Sequence, residues 1–263
     1  MNERRAAFHA LHHTGRPLLL PNAWDHASAA AYVARGYRAV GTTSLGVAAA
    51  AGLPDAAAAT RAENVRLARA LRGLPVLLTV DVEAGCADDP AAVADLAAEL
   101  AALGVVGINI EDGRGDGDLD PPELTAAKVA AVKAAVPDLF VNARTDTWWL
   151  GVPDPLPETL RRAREYRNAG ADGIFVPGTP DAGTIATLVA RVDAPLNVLH
   201  RPGGPTLDEL RSLGVARVST GSLLFRVALG AALDALDTVR SGAALQEPPS
   251  YAEVQRLSGE SRP

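Results

Sequence analysis

The chain has 263 residues, a formal net charge of −6, 4% aromatic and 21% charged residues, and one cysteine. That acidic balance gives no footprint for nucleic acid or an anionic membrane surface, and a lone cysteine excludes an internal disulfide framework or a cysteine-rich zinc site. The length suits one α/β domain over 1–263 with a sizeable core and a helical tail from about 222, with small molecules as the expected partners. The opening MNERRAAFHALHHTGR has no apolar leader core, and no apolar run approaches the roughly 20 residues that cross a bilayer, so a cytoplasmic location is expected.

Short, apolar, β-prone runs recur along the chain at 18–20, 39–42, 76–80, 106–110, 139–143, 173–176, 196–199 and 217–220. Between them lie alanine-rich stretches with helical spacing at 27–35, 60–71, 90–103, 123–135, 157–169, 184–190 and 206–213. Gly36, Gly104, Gly170 and Gly214 follow four of these, as left-handed C-caps do. Eight alternations of buried strand and covering helix predict a (β/α)8 TIM barrel, with a doubly wound sheet as the weaker alternative. A long helix over 222–240 and a short one over 251–257 follow.

Active sites of such barrels form where the strands end. The strand ends here read PNAWD, GTTSLG, TVDVEAG, INIEDG, NARTD, FVPG, NVLHR and STGS, so polar and acidic groups gather on one rim. In an extended strand, Asp81 and Glu83 share a face, where like charges repel unless a cation sits between them. With Glu111 from the next strand and Asp55 in the loop GLPD, they form an all-oxygen set suited to Mg²⁺, or to Mn²⁺ in its place. Asp81 is the expected direct ligand, with Glu83, Glu111 and Asp55 holding the ion's waters. Each acid alone is equally consistent with a helix cap or a surface arginine partner.

Arg144 ends the fifth run beside these acids, placed either to fork onto a substrate carboxylate or to pair internally with Asp146 or Glu111. Ser44, with the backbone of Leu45 and Gly46, offers a carboxylate cradle in the turn after the second run. Asn197 and His200 end the seventh run and face either the far end of a substrate or nearby backbone groups. Asp25 is expected to cap a helix, and Trp24, Trp148 and Trp149 to pack rather than stack on a cofactor.

The segments PNAWDHASA, GTTSLGVAAAAGLPD, DVEAG, GINIED, NARTD, AGADGIFVPG, PLNVL and GVARVSTGS, in this order, resemble the isocitrate lyase and phosphoenolpyruvate mutase superfamily over roughly residues 8–236. The resemblance implies a (β/α)8 barrel whose eighth helix swaps between subunits, in a homotetramer built as a dimer of dimers, with Mg²⁺ and a 2-oxo acid at the rim. By position it implies Asp81 as metal ligand, Asp55, Glu83 and Glu111 around its waters, Ser44, Leu45 and Gly46 on the oxo-acid carboxylate, and Arg144 beside the substrate.

Departures bear on the reaction. The superfamily's lyases carry Lys-Lys-Cys-Gly-His or Lys-Arg-Cys-Gly-His in the loop after the fourth strand, whereas this loop reads EDGRGDGDLDPPEL, a glycine-rich lid with Arg114 as its one cation. Pro177 stands where the lyases place a glutamate and the mutase a histidine, and Thr42 where the mutase has an aromatic ring. The reading that follows is a Mg²⁺-dependent lyase breaking a carbon-carbon bond of a small 2-oxo or 2-hydroxy carboxylate through a metal-stabilised enolate, with Arg144, Glu111 and Arg114 nearest the chemistry. The alternatives are phosphorus-carbon chemistry, for which Arg114, His200 and Arg201 are the available cations, and a silent barrel that binds oxo acids without turnover.

Overall fold

In the computed structural model, which describes residues 2–179 and 181–258, the chain opens with α1 (Glu3–Leu11), then two short strands, β1 (Leu18–Leu20) and β2 (Asn22–Ala23). There follow α2 (His26–Ala34), β3 (Ala39–Thr42), α3 (Ser44–Ala50), α4 (Arg61–Leu71), β4 (Leu77–Asp81), α5 (Pro90–Ala102), β5 (Gly107–Glu111), α6 (Pro122–Ala135) and β6 (Phe140–Arg144). The remainder is α7 (Pro155–Asn168), β7 (Gly173–Val176), α8 (Ala182–Arg191), β8 (Leu196–Leu199), α9 (Leu207–Ser212), β9 (Arg217–Ser219), α10 (Leu223–Ser241) and α11 (Tyr251–Leu257).

All strands run parallel in the order β1-β9-β8-β7-β6-β5-β4-β3-β2. Because β1 pairs with β9 while β2 pairs with β3, one split stave joins the two ends of the sheet and closes a (β/α)8 barrel. Eight strands were expected and nine segments are found. The split falls at Pro21, which has no backbone N–H to give a neighbour. The expected helices are present within two residues at their ends; α1 and α3 are additional.

Local chemistry explains the element ends. Asp25 caps α2 by accepting from Ser28 N while Ser28 Oγ returns to the Asp25 backbone, and Asp89 and Asp181 cap α5 and α8. Gly104 and Gly170, at φ 94° and 105°, stop α5 and α7 in the left-handed region that glycine adopts without strain. The core lies between barrel and helices, where Val80, Ile108, Val141, Ile174 and Val218 point outward from the strands against Leu96, Leu100, Val129, Val132 and Leu188. A second cluster, Phe8, Leu20, Ala39, Val106 and Phe140, closes the barrel's N-terminal end beneath α1.

The tail departs from a covering helix. None of the 19 residues of α10 is buried, and Val227, Leu233, Leu236 and Val239 are each more than half exposed. No helix among the described residues is long and apolar enough to cross a membrane.

Candidate active site

A cavity of about 170 Å³ opens at the C-terminal ends of the strands. Asp81 enters it from the end of β4, its backbone N donating to Thr42 Oγ1 at 2.9 Å. Glu111 and Arg144, directly paired in register at the ends of β5 and β6, flank it, with Asp55 on the loop after α3. These four expected residues come together.

Glu83 does not share the face expected of it. Its backbone turns left-handed at φ 54°, so the extended alternation that carries Asp81 ends before residue 83. Its carboxylate accepts from Thr60 Oγ1 at 2.6 Å and Ala58 N at 3.2 Å, and it lines an adjoining cavity together with Cys86. The two cavities meet at Ala56, Glu111, Gly113 and Arg114. Burial pushes the Cys86 thiol up to about 11, which makes it a poor nucleophile.

Arg144 takes the internal pairing. Its Nη1 lies 2.6 Å from Glu111 Oε2, a close ion contact without hydrogen-bond alignment, and its Nε donates to Asp146 Oδ1 at 2.6 Å. The guanidinium also lies over Phe175 and Trp149, 5.6 and 5.9 Å from their ring centroids. Asp146 is fixed in turn by Asp112, whose Oδ1 accepts from Asp146 N at 2.9 Å. Asp112 Oδ2 accepts from Tyr166 OH at 2.6 Å and Arg162 Nη1 at 3.0 Å, tying the rim to α7.

Electrostatically the cavity is short of positive charge. Burial pushes Asp81 up to about 6 even though Arg144 and the backbone N of Glu83 pull it down. Burial likewise raises Glu111 well above the usual carboxylate range and raises Asp146, against the pull of Arg144 in both cases. Four carboxylates, Asp55, Asp81, Glu111 and Asp146, face two guanidinium groups, Arg144 and Arg114, across the lining. Of these, Arg114 is half exposed on the loop after β5 and held by Asp116 at 2.6 Å.

That imbalance fits a divalent cation. Among the described residues no group of three or more His, Cys, Asp or Glu side chains is arranged to hold a metal unaided. A hard ion resting on Asp81, with water and substrate oxygens completing its sphere, matches such a donor set.

Ser44 and Leu45 line the cavity at the start of α3, a helix rather than the expected turn, whose Thr43 N-cap makes no side-chain hydrogen bond. Gly46 lies behind the lining, where a Cβ would come within 2.7 Å of Thr43 Cγ2 and 2.9 Å of Trp24 Cβ, so its role is close packing. Asn197 and His200 are not among the lining residues; Asn197 points into the barrel, donating to Ser219 Oγ at 3.1 Å. Sequence reasoning missed Asn22, Phe175 and the exposed Trp149 as lining residues. Phe175 was legible as an inward position on its strand, two residues before Pro177; nothing in the sequence marked Trp149 over Trp148.

The family model for phosphoenolpyruvate phosphomutase matches residues 8–240. The chain belongs to the isocitrate lyase and phosphoenolpyruvate mutase superfamily. Relatives in this superfamily include an uncharacterized protein of Mycobacterium tuberculosis (strain ATCC 25618 / H37Rv), 47% identical over 249 residues and covering 95% of both chains. An oxaloacetate decarboxylase of Ectopseudomonas mendocina is 35% identical over 201 residues, covering 70% of this chain and 66% of the relative. The phosphoenolpyruvate phosphomutase of Streptomyces hygroscopicus is 31% identical over 235 residues, covering 82% and 74%. A crystal structure from Burkholderia cenocepacia J2315 superposes with a TM-score of 0.89 at 33% identity, covering 98% of this chain and 97% of that one. Relatives in the superfamily are named as a decarboxylase, a mutase and a lyase, which supports an enzyme.

Proposed function

We propose that this enzyme is a Mg²⁺-dependent lyase that breaks a carbon-carbon bond of a small 2-oxo or 2-hydroxy carboxylate through a metal-stabilised enolate, with an oxaloacetate-like acid as the simplest substrate. The observation that carries it is the composition of the cavity wall. The described lining residues include Asp81, Arg144 and Ser44 but no cysteine, lysine, histidine or tyrosine. A retro-aldol reaction needs a group to take a hydroxyl proton, whereas loss of CO₂ needs none: the C3–C4 bond breaks, its electron pair stays on C3 as an enolate, and C3 then takes a proton from solvent.

When bound, Mg²⁺ supplies positive charge beside the 2-oxo and carboxylate oxygens, where negative charge grows as the bond breaks. Mn²⁺ is expected to replace it. Asp81 would hold that ion, and Asp55 and Glu111, which line the same cavity, would hold its waters, with Glu83 reaching it only from the adjoining cavity. The Ser44 hydroxyl and the Leu45 backbone N–H orient the acid's 1-carboxylate. Arg144 keeps Glu111 and Asp146 in place and presents its remaining edge to the substrate. Arg114, on the lid, covers the bound acid and excludes water.

Proton NMR of the purified protein with Mg²⁺ and oxaloacetate, 2-methylisocitrate, dimethylmalate or phosphonopyruvate tests this. Pyruvate or its homologue released from a carbon acid, and stopped by EDTA, is the expected result. Turnover of phosphonopyruvate alone moves the enzyme to phosphorus-carbon chemistry, and binding without turnover makes it an oxo-acid receptor. The exposed apolar face of α10 supports a second proposal, that a second copy covers it by exchanging this helix, within a dimer of dimers; sedimentation at micromolar concentration is expected to give a tetramer, and a monomer sinks the idea.

A further inference from the structure

Beyond the polar floor, both arginines of the described lining are already paired with carboxylates. Among the described lining residues the positive side chains are Arg144 and Arg114. Arg144 is engaged by Glu111 and Asp146, each at 2.6 Å, and Arg114 by Asp116 at 2.6 Å. Next to Arg144 the wall turns apolar: Trp149 and Leu150 after β6, Phe175 and Pro177 at the end of β7, and Leu199 at the end of β8. These three strands are neighbours in the barrel, so the apolar groups form one continuous sector of the rim.

A permanent anion such as a phosphonate placed against that sector would lose its water without gaining a partner. A carboxylate that leaves as CO₂ is different, because its charge disappears from that position as the bond breaks. An apolar wall there disfavours the bound acid more than the transition state. The same wall has hydrocarbon to meet a hydrocarbon substituent, and a methyl group matched to such a surface changes discrimination by about tenfold or more.

We propose that the substrate carries a short alkyl branch on the carbon whose bond is broken, recognised by Trp149, Phe175 and Leu199, so that the enzyme prefers 3-alkyl 2-oxo diacids to oxaloacetate itself. This rests on the lyase reading above and narrows it. In the branched substrate the atoms balance as before: C3–C4 breaks, CO₂ leaves, and the C3 that takes the proton bears the alkyl group.

The test is kcat/KM with Mg²⁺ for oxaloacetate and 3-methyl-2-oxosuccinate, corrected for spontaneous decarboxylation, in the wild type and in Leu199→Ala and Trp149→Ala. The wild type is expected to favour the methylated acid by at least about tenfold. Both variants narrow that ratio; Trp149 is 57% exposed, so its truncation removes little buried surface, and the ratio separates lost alkyl contact from any general loss through Arg144. Equal or higher kcat/KM on oxaloacetate, or an unchanged ratio in both variants, overturns the preference while leaving the lyase standing. Turnover of 2-hydroxy acids alone overturns this preference and leaves the lyase standing, whereas no turnover of any 2-oxo or 2-hydroxy acid overturns both together.

Discussion

The two ends of the barrel are built on opposite plans. At the C-terminal rim, Asp81, Glu111 and Asp146 are buried beside one arginine, and burial raises the proton affinity of all three. At the N-terminal end, α1 drives Phe8 and His12 onto Phe140, with Phe8 edge-on at 5.4 Å and His12 stacked at 4.1 Å between ring centres. Phe8 is fully buried and His12 nearly so. One end concentrates buried charge that weakens the folded state; the other packs hydrocarbon that holds the barrel shut. The same eight-stave frame carries both because strand ends, not strand middles, decide each face.

The largest expected contrast comes from one substitution at each end. Asp81→Ala removes the carboxylate proposed to hold the metal and is expected to lower metal-dependent turnover by about 10³-fold or more, while the urea midpoint of the metal-free protein stays level or rises. Phe8→Ala does the reverse, costing about 3–5 kcal/mol of stability with kcat per folded molecule unchanged. Activity kept in Asp81→Ala, or lost in proportion in folded Phe8→Ala, would break the division between the two ends.

A smaller effect sharpens it, because the two ends titrate with opposite signs. Asp81 is raised from 3.8 to about 6, so between those values the folded metal-free protein keeps a proton that the unfolded chain has released, and stability falls as pH rises through that window. His12 is lowered by burial from 6.5 to about 3, so the unfolded chain binds a proton that the folded protein refuses, and stability rises as pH climbs from 3 to 6.5. Its Nδ1–H donates to Phe8 O at 2.9 Å, leaving Nε2 without a partner among the described residues. Relative to wild type, Asp81→Asn is expected to steepen the rise between pH 4 and 6, and His12→Phe to expose the fall, each by up to about 1.4 kcal/mol per pH unit. Urea titrations at fixed pH without divalent metal decide it; variants whose stabilities track the wild type in parallel would show that neither group is shifted.

Most of the frame was legible because buried parallel strands are continuous apolar runs and their helices end at glycine. The split at Pro21 was hidden, since a three-residue run followed by proline reads equally well as one short strand. The helix at Ser44–Ala50 was read as a turn because Gly46 sits inside it, and only the space beside Thr43 and Trp24 explains that glycine. Asp81, Glu111 and Arg144 were found because each ends a strand. Glu83 was placed on the wrong face because alternation holds only while the backbone stays extended, and one left-handed residue cancels it. Asn197 and His200 also end a strand, yet one points into the barrel and neither lines the cavity, so position in the chain gave the level but not the direction.

The split stave is stitched by Asn22. Its backbone N donates to Thr220 Oγ1 at 3.0 Å, its Nδ2 to Thr42 O at 2.7 Å, and its Oδ1 accepts from Thr220 N and Gly221 N at 3.0 and 2.9 Å. The Asn22–Thr220 bonds join residues 198 positions apart, so the Oδ1 half of this side chain's bonding depends on the last strand of the barrel, while its bond to Thr42 O is local. Until β9 is made, β1 has no partner on that side, and the cavity wall that Gly221 and Ser222 complete does not exist. Closing the ring and completing the cavity mouth therefore depend on the same long-range pairing, which also removes the open edge at β1.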